Sequence, residues 1–199
     1  MISNSDRSGY FGASDTKFIM NDNHESKTWK EWWSVKLGHT TSSFSGSIYT
    51  RAGNVVEHPL LLAVDPGMIL DGQIIHDRYL LRVNYDGYKD GIIREAKTHK
   101  YYADKPYSIP EEHWQQVQVE MYVYQEKQKQ WFLPPFEGLE IISYALYPDE
   151  YYLRPNEIII DEKRIMHHPV KYDKSFIKGE YLPRLKALAR ALRKGKFPS

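Results

Sequence analysis

Apolar and polar positions along the chain follow first the period of helices, then that of strands, and then that of helices again. Trp29, Trp32 and Trp33 recur at helical spacing, which favours packing in a core over stacking on nucleic-acid bases. Helices are predicted at residues 15–20 with Ser14 as N-cap, 28–37, 47–64 with Pro59 bending or ending the first part, 110–127, and from 182 onward. Strands are predicted at residues 68–76, 79–88, 91–98, 138–147 and 157–161.

This order predicts an α/β fold in which a central mixed β-sheet is flanked by helices. No linker divides the pattern, so residues 1–199 are expected to form one domain with a sizeable core. No apolar run approaches the roughly 20 residues of a membrane span, and the polar N-terminus does not resemble a secretion signal. The chain has no cysteine, which fits a reducing cytoplasm, in a bacterial or phage-infected cell.

One hairpin carries the candidate chemistry. Asp90-Gly91 lies between two β-prone runs and predicts a two-residue hairpin loop. That loop places Asp86 opposite Glu95, and Lys97 leaves the same face of its strand as Glu95. Two facing carboxylates repel each other, so the arrangement predicts a cation between them.

A divalent metal ion is the simplest such cation, because Mg²⁺ prefers carboxylate oxygens. Asp86 and Glu95 would hold Mg²⁺, or Mn²⁺ in its place, with the Ala96 carbonyl as a third ligand. Lys97 would orient and help deprotonate a water, or stabilise charge on a phosphodiester under attack. The alternative is an ordinary surface hairpin with exposed charge pairs, Glu95–Lys97 and Asp86–Arg94, and the hairpin alone does not decide between the two.

Several short motifs together resemble a known group of enzymes. Asp86, Glu95-Ala96-Lys97 and the preceding Glu57 resemble the PD-(D/E)XK nuclease superfamily, and more narrowly the lambda exonuclease and YqaJ-like viral recombinase group. The narrower resemblance covers nearly the whole chain and adds Arg7…Gly12-Ala13-Ser14, Gly53-x-x-x-Glu57, Gln116-Val117-Gln118-x-x-Met121-x-Val123 and the closing helix.

The resemblance implies a restriction-endonuclease-like core and roles for individual residues. It implies that Arg7 and Ser14 hold the 5′-phosphate of a DNA end, although Ser14 could be only a helix cap. It implies that Glu57 reaches the metal and that Gln116 contributes to the active site. Gln118 and Tyr122 also fit the Gln-x-x-x-Tyr motif of RecB-family nucleases, so Gln116 and Gln118 compete for one role, and Gln116 is the preferred candidate.

The function implied is a Mg²⁺-dependent DNA exonuclease. It would act on double-stranded ends, digest in the 5′–3′ direction and leave 3′ single strands for recombination. The resemblance further implies a homo-oligomer, namely a trimer, and a single-strand-annealing protein as partner. Two alternatives stay open, which are an endonuclease on the same scaffold and a non-catalytic module that binds DNA or protein.

Overall fold

The structure is a computed structural model that describes residues 8–41, 46–102, 107–154 and 157–198. Arg7, one of the two predicted phosphate-binding residues, lies outside these ranges. The helices are α1 Thr16–Ile19, α2 Lys27–Lys36, α3 Ile48–Val64, α4 Glu111–Lys127 and α5 Leu182–Arg193. The strands are β1 Ile69–His76, β2 Leu81–Lys89, β3 Ile92–Lys100, β4 Gly138–Leu146 and β5 Ile165–Val170.

The predicted mixed sheet is confirmed. Its five strands follow one another in chain order, and every neighbouring pair is antiparallel except β3 and β4, which are parallel. The connection between the parallel strands β3 and β4 contains α4. Two adjacent parallel strands need such a crossover connection, because the chain must return to the same end of the sheet.

The predicted strand at 157–161 is wrong. The fifth strand is Ile165–Val170, at the edge of the sheet beside β4. Ile158 and Ile160 alternate as in a strand, but they pack against the core from irregular backbone. β5 carries a proline and two histidines, and such an edge strand lacks the continuous apolar pattern that reveals a central one.

Helices cover the sheet on both faces. One core cluster joins the tryptophans, α4 and α5 to the sheet through residues such as Val83, Tyr85 and Ile141. The other cluster joins α3 to the sheet through residues such as Met68 and Ile142. The predicted helix at 47–64 is confirmed, and it continues through Pro59 to Val64. No helix of the described ranges is long and apolar enough to cross a membrane.

The N-terminal segment is fixed to α2 by aromatic rings and a buried ion pair. The tryptophans are in the core as predicted, and Trp29 and Trp33 stack with ring centroids 5.4 Å apart. Asp15 accepts a hydrogen bond of 2.8 Å from Trp32 Nε1 and pairs with buried Lys36 at 2.5 Å. These contacts hold the turn that contains Ser14.

Ser14 is not the N-cap that the sequence predicted. The turn starts after Gly12, whose backbone N–H donates to the Asp15 carboxylate at 2.6 Å, and Ser14 lies inside a 3-10 turn from Ala13 to Asp15. The Asp15 carboxylate thus satisfies the amide of the N-cap residue, which is Gly12 and not Ser14.

Candidate active site

The predicted hairpin is present, and its ladder ends just before the two acidic residues. The observed pairs are Gly87↔Arg94, Tyr88↔Ile93 and Lys89↔Ile92, in the predicted register. Asp86 and Glu95 do not continue this ladder. The Asp86 carboxylate instead accepts a hydrogen bond of 2.9 Å from the Ala96 backbone N–H. Two carboxylates directly opposite each other would repel, so separation of the strands at this point relieves that cost.

Lys97 and Glu95 form the centre of the site. Lys97 Nζ lies 2.6 Å from Glu95 Oε1, and Glu95 is only 3% exposed. Gln116, on α4, donates from Nε2 to the same Glu95 oxygen at 2.6 Å. The Gln116 Oε1 in turn accepts a hydrogen bond of 3.4 Å from Lys97. The alternative of an ordinary hairpin with exposed charge pairs is therefore wrong for Glu95, which is buried in a network.

The local electrostatics are dominated by carboxyl groups. Burial, then Glu95 and then Glu57 raise the pKa of Asp86 well above its usual range. Burial and then Glu95 raise the pKa of Glu57 as well. Burial opposes the positive charge of Lys97, but the neighbouring Glu95 and Asp86 outweigh it and raise its pKa. Lys97 is thus an ammonium ion held among more carboxyl groups than it can neutralise.

Glu57 approaches this cluster from α3. This helix packs against β3, the strand of Glu95, and Gly53 on it lies close to Thr98. Glu57 also lies beside His58 and Asp71, and one ligand atom from each of these three residues falls within 4.8 Å of the others. His58 Nε2 lies 3.1 Å from Asp71 Oδ1, and 4.0 Å from Glu57 Oε1. Neither His58 nor Asp71 was among the predicted site residues.

Gln116 and Gln118, the two candidates for the active-site glutamine, have different surroundings. Gln116 contacts Glu95 and Lys97. Gln118 is fully buried and bonds the segment after β5, donating to the Lys171 carbonyl at 2.9 Å and accepting from the Asp173 N–H at 2.6 Å. Its amide thus holds a loop.

Tyr122, the other member of the Gln-x-x-x-Tyr pattern, is buried and stacks on His76, with ring centroids 6.1 Å apart. It belongs to the core cluster that packs α4 on the sheet. The structure therefore brings Gln116 to the acidic cluster and places Gln118 and Tyr122 in packing positions.

Ser14 lies on the wall of a polar cavity of about 310 Å³. The cavity is also lined by Asp15, Lys36, Asn54, Arg82 and Asn84. The Asp15 carboxylate and the Lys36 ammonium form an ion pair with each other. Asn54 precedes Glu57 by three residues on α3, and Asn84 precedes Asp86 by two residues on β2, so the cavity and the acidic cluster share two elements. Basic and amide side chains are the groups that bind phosphate oxygens.

Sequence reasoning missed Arg82 and Asn84 in this cavity and Glu120 beside Gln116. Arg82 and Asn84 precede Asp86 at a period of two, a spacing that places side chains on one face of a regular strand. Glu120 follows Gln116 by four residues, which places it on the same face of α4, and it is an acid inside an apolar run. Both signals were present in the sequence. Lys36 gave no signal, because its burial depends on the fold around Asp15.

The donor types in this region suit a divalent cation, and among the described residues the set whose ligand atoms lie within 4.8 Å of one another is Glu57, His58 and Asp71. Asp86, Glu95 and Glu57 supply carboxylate oxygens, and Glu95 Oε2 is buried without a hydrogen-bond partner among the described residues. A hard cation prefers this donor set, and its charge would offset the repulsion that raises the pKa of Asp86.

The five-stranded mixed sheet and its two helical layers define an α/β fold of the kind found in exonucleases of known structure. No family model and no curated protein matches the chain. Two crystal structures of LHK-Exo, an alkaline exonuclease from Laribacter hongkongensis, share the fold. The structure in complex with dAMP aligns with a TM-score of 0.64 at 16% identity, over 94% of this chain and 89% of that chain. The other gives a TM-score of 0.63 at 15% identity, over 94% and 89% of the two chains.

A phage-related exonuclease from Haemophilus somnus 129PT has the same fold. It aligns with a TM-score of 0.54 at 15% identity, over 94% of this chain and 92% of that chain. These three structures are of exonucleases, in agreement with the resemblance to the lambda exonuclease group. At 15–16% identity the three structures show a common fold and not a common reaction.

Proposed function

We propose that this chain is a metal-dependent nuclease that hydrolyses phosphodiester bonds of DNA, beginning at duplex ends. The observation that carries the proposal is the buried contact of Lys97 with Glu95, with the Asp86 carboxylate bound to the Ala96 N–H between them. Glu57 adds a third acidic group, whose pKa is raised by burial and then by Glu95. A fold has little to gain from such a concentration of acidic groups unless a cation joins them. The exonucleases that share the fold support the same activity.

Each residue has a distinct role in this proposal. Asp86, Glu95, Glu57 and the Ala96 carbonyl would hold Mg²⁺, or Mn²⁺ in its place. Such an ion, when bound, lowers the pKa of a water and offsets charge on the scissile phosphate.

Lys97 provides a fixed positive charge beside Glu95, where it orients a water or stabilises the charge that develops on the phosphate. Gln116 holds the Lys97 ammonium and the Glu95 carboxylate in place with its amide.

Digestion in the 5′–3′ direction, a role in recombination, trimer formation and a single-strand-annealing partner are also part of the proposal. They rest on the resemblance of the motifs to the lambda exonuclease group. The polar cavity with Ser14 supports a fixed place for a 5′-terminal phosphate next to the acidic cluster, which suits digestion from the 5′ end.

The experiment that tests the function uses linear duplex DNA carrying a label on its 5′ or 3′ end, with Mg²⁺ or Mn²⁺ and a chelator control. We expect immediate release of the 5′ label as a mononucleotide, delayed release of the 3′ label, and no product with the chelator. Covalently closed circular DNA is the matched substrate without ends. Cleavage of circles would favour an endonuclease, and binding of DNA without cleavage under either metal would favour a non-catalytic module.

We expect the enzyme to prefer 5′-phosphorylated ends over 5′-hydroxyl ends. Charge-assisted hydrogen bonds contribute about 1.5–3 kcal/mol each, so the preference should be on the order of 10- to 100-fold in kcat/KM. Ser14→Ala should reduce the preference, as should Arg7→Ala. Rates on duplexes that differ only in the terminal phosphate measure it.

Ser34→Ala is the control for this prediction. Ser34 lies on α2 in a different surface depression, so its substitution should leave the preference unchanged. Equal rates of the wild-type enzyme on the two kinds of end would remove the phosphate-binding role from Ser14 and Arg7.

A further inference from the structure

The orientation of the Gln116 amide is fixed by three contacts. Its Nε2 has two N–H groups, and the structure gives each of them an acceptor, Glu95 Oε1 at 2.6 Å and Glu120 Oε1 at 2.9 Å. Its Oε1 is thereby left to face Lys97 Nζ at 3.4 Å. If the amide were rotated by half a turn, its NH₂ group would face the ammonium of Lys97 and its oxygen would face two carboxyl groups.

Glu120 is placed to hold this orientation. It follows Gln116 by one turn of α4, and it is 0% exposed. Its backbone is fixed by a hydrogen bond of 3.0 Å from the Tyr85 hydroxyl to its carbonyl. Its second carboxyl oxygen has no hydrogen-bond partner among the described residues.

A carboxyl group is an expensive choice at this position. Burial, and after it the charge of Glu95, raises the pKa of Glu120 well above its usual range. An apolar residue would avoid the desolvation cost, and the neighbouring Val119 and Met121 are fully buried without difficulty. The cost indicates that the acceptor oxygen of Glu120 is used for more than the packing of α4.

We propose that Glu120 is a positioning residue that fixes the Gln116 amide, so that Gln116 Oε1 faces Lys97 and holds its ammonium beside Glu95. This inference rests on the proposed nuclease function and deepens it. The Lys97 ammonium has three N–H groups, of which Glu95 and Gln116 accept two. Among the described residues these two are its hydrogen-bond acceptors, and the third N–H points in a direction set by them, where a water or a phosphate oxygen can accept it.

The test compares Glu120→Ala and Glu120→Gln with the wild-type enzyme on 5′-phosphorylated linear duplex. Glu120→Ala should lower kcat by about 10- to 100-fold and change KM by less than about threefold, because one buried hydrogen bond to the amide is lost while DNA contacts remain. Glu120→Gln should keep kcat within about threefold of wild type, because its carbonyl oxygen can still accept from Gln116 Nε2.

A double mutant separates positioning from a general effect on the fold. In a Gln116→Ala background, Glu120→Ala should lower kcat by less than about twofold, because the amide that it positions is gone. Tyr124→Phe is the matched control, since it removes one hydrogen bond from the same helix, to the Pro134 carbonyl, at the end away from Gln116. Thermal melting of each variant reports whether it folds.

A second readout does not depend on activity. The side-chain NH₂ signal of Gln116, assigned by its loss in Gln116→Ala, should be well dispersed and slow to exchange in the wild type. It should become fast to exchange in Glu120→Ala and be restored in Glu120→Gln.

The two proposals fail in different ways. A wild-type protein that cleaves no DNA would refute the nuclease function, while the amide signal would still decide the placement of Gln116. The positioning role would be overturned by a normal kcat in Glu120→Ala, by additive effects in the double mutant, or by an amide signal unaffected by Glu120→Ala. It would also be overturned if Glu120→Gln were as defective as Glu120→Ala.

Discussion

Lys97→Ala is expected to lower kcat for DNA cleavage by about 10³-fold or more, the range for loss of a buried electrostatic or acid–base group. The Lys97 ammonium is largely buried and contacts Glu95 Oε1 at 2.6 Å, so no other side chain can replace its charge without rearrangement. Lys97→Arg should also be defective, because a planar guanidinium cannot occupy the position of a compact ammonium between Glu95 and Gln116. Rates on end-labelled duplex at saturating Mg²⁺ measure the effect.

Lys89→Ala is the matched control. Lys89 lies on the same hairpin, but its ammonium pairs with Asp65 near the hairpin loop, at 2.8 Å. Its removal should change kcat by less than about twofold, as for other exposed ion pairs. If Lys97→Ala and Lys89→Ala cleaved DNA at similar rates, Lys97 would have no catalytic role and the non-catalytic module would become the better interpretation.

Metal binding is expected to stabilise the protein, and Asp86→Asn should abolish this stabilisation. The raised pKa values of Asp86 and Glu57 mean that the metal-free folded state binds more protons than the unfolded chain, from the usual carboxyl pKa up to the raised values. The contribution of these groups to stability therefore falls as pH rises through that window. A cation that binds the ionised carboxylates reverses this trend, so the increase in Tm with Mg²⁺ should be larger at pH 8 than at pH 6.

The expected size follows from mass action. Mg²⁺ at 100 times its Kd adds about 2.7 kcal/mol to the free energy of unfolding, which corresponds to roughly 5–10 °C in Tm for a chain of this size. Asp86→Asn should melt at a higher temperature than the wild type without metal, because it removes the cost of burying the carboxylate and then its repulsion with Glu95. This variant should show no shift with Mg²⁺.

Asp90→Asn is the control for the metal prediction. Asp90 lies at the hairpin loop with φ 51°, a conformation that asparagine also tolerates, so its variant should retain the full shift. Equal Mg²⁺-dependent shifts in Asp86→Asn and in the wild type would exclude Asp86 as a ligand. Differential scanning calorimetry across pH 6–8 measures all three proteins.

The elements of this fold that depend on local pattern could be predicted from the sequence, and those that depend on long-range partners could not. The hairpin loop was predicted from the Asp90-Gly91 pair itself, and the helices α3 and α4 from the helical spacing of their apolar residues. β5 does not, because an edge strand with polar residues takes its structure from β4.

In the candidate site, too, the features set by local sequence could be predicted and those set by distant parts of the chain could not. The sequence placed Asp86, Glu95 and Lys97 together through the register of one hairpin. It could not separate Gln116 from Gln118, since both lie on α4 and only the position of the β5 loop shows which of them is used for packing. The end of the ladder before Asp86 could not be predicted either, because it depends on β4, which pairs with β3 beyond this point, while the Asp86 side chain accepts from the Ala96 N–H.

The two sides of β3 are held very differently. Nine residue pairs join β3 to β4, from Ile92↔Gly138 to Lys100↔Leu146, whereas three pairs join it to β2. Glu95 and Lys97 therefore lie on a strand that is paired along its length with β4. Asp86 lies on a strand that is held mainly by β1, through Tyr85 and Gly87 on either side of it. When an ion of a different radius enters, we expect the change in carboxylate spacing to come from a shift of the β1–β2 pair relative to β3, with the ammonium and its neighbours left where they are.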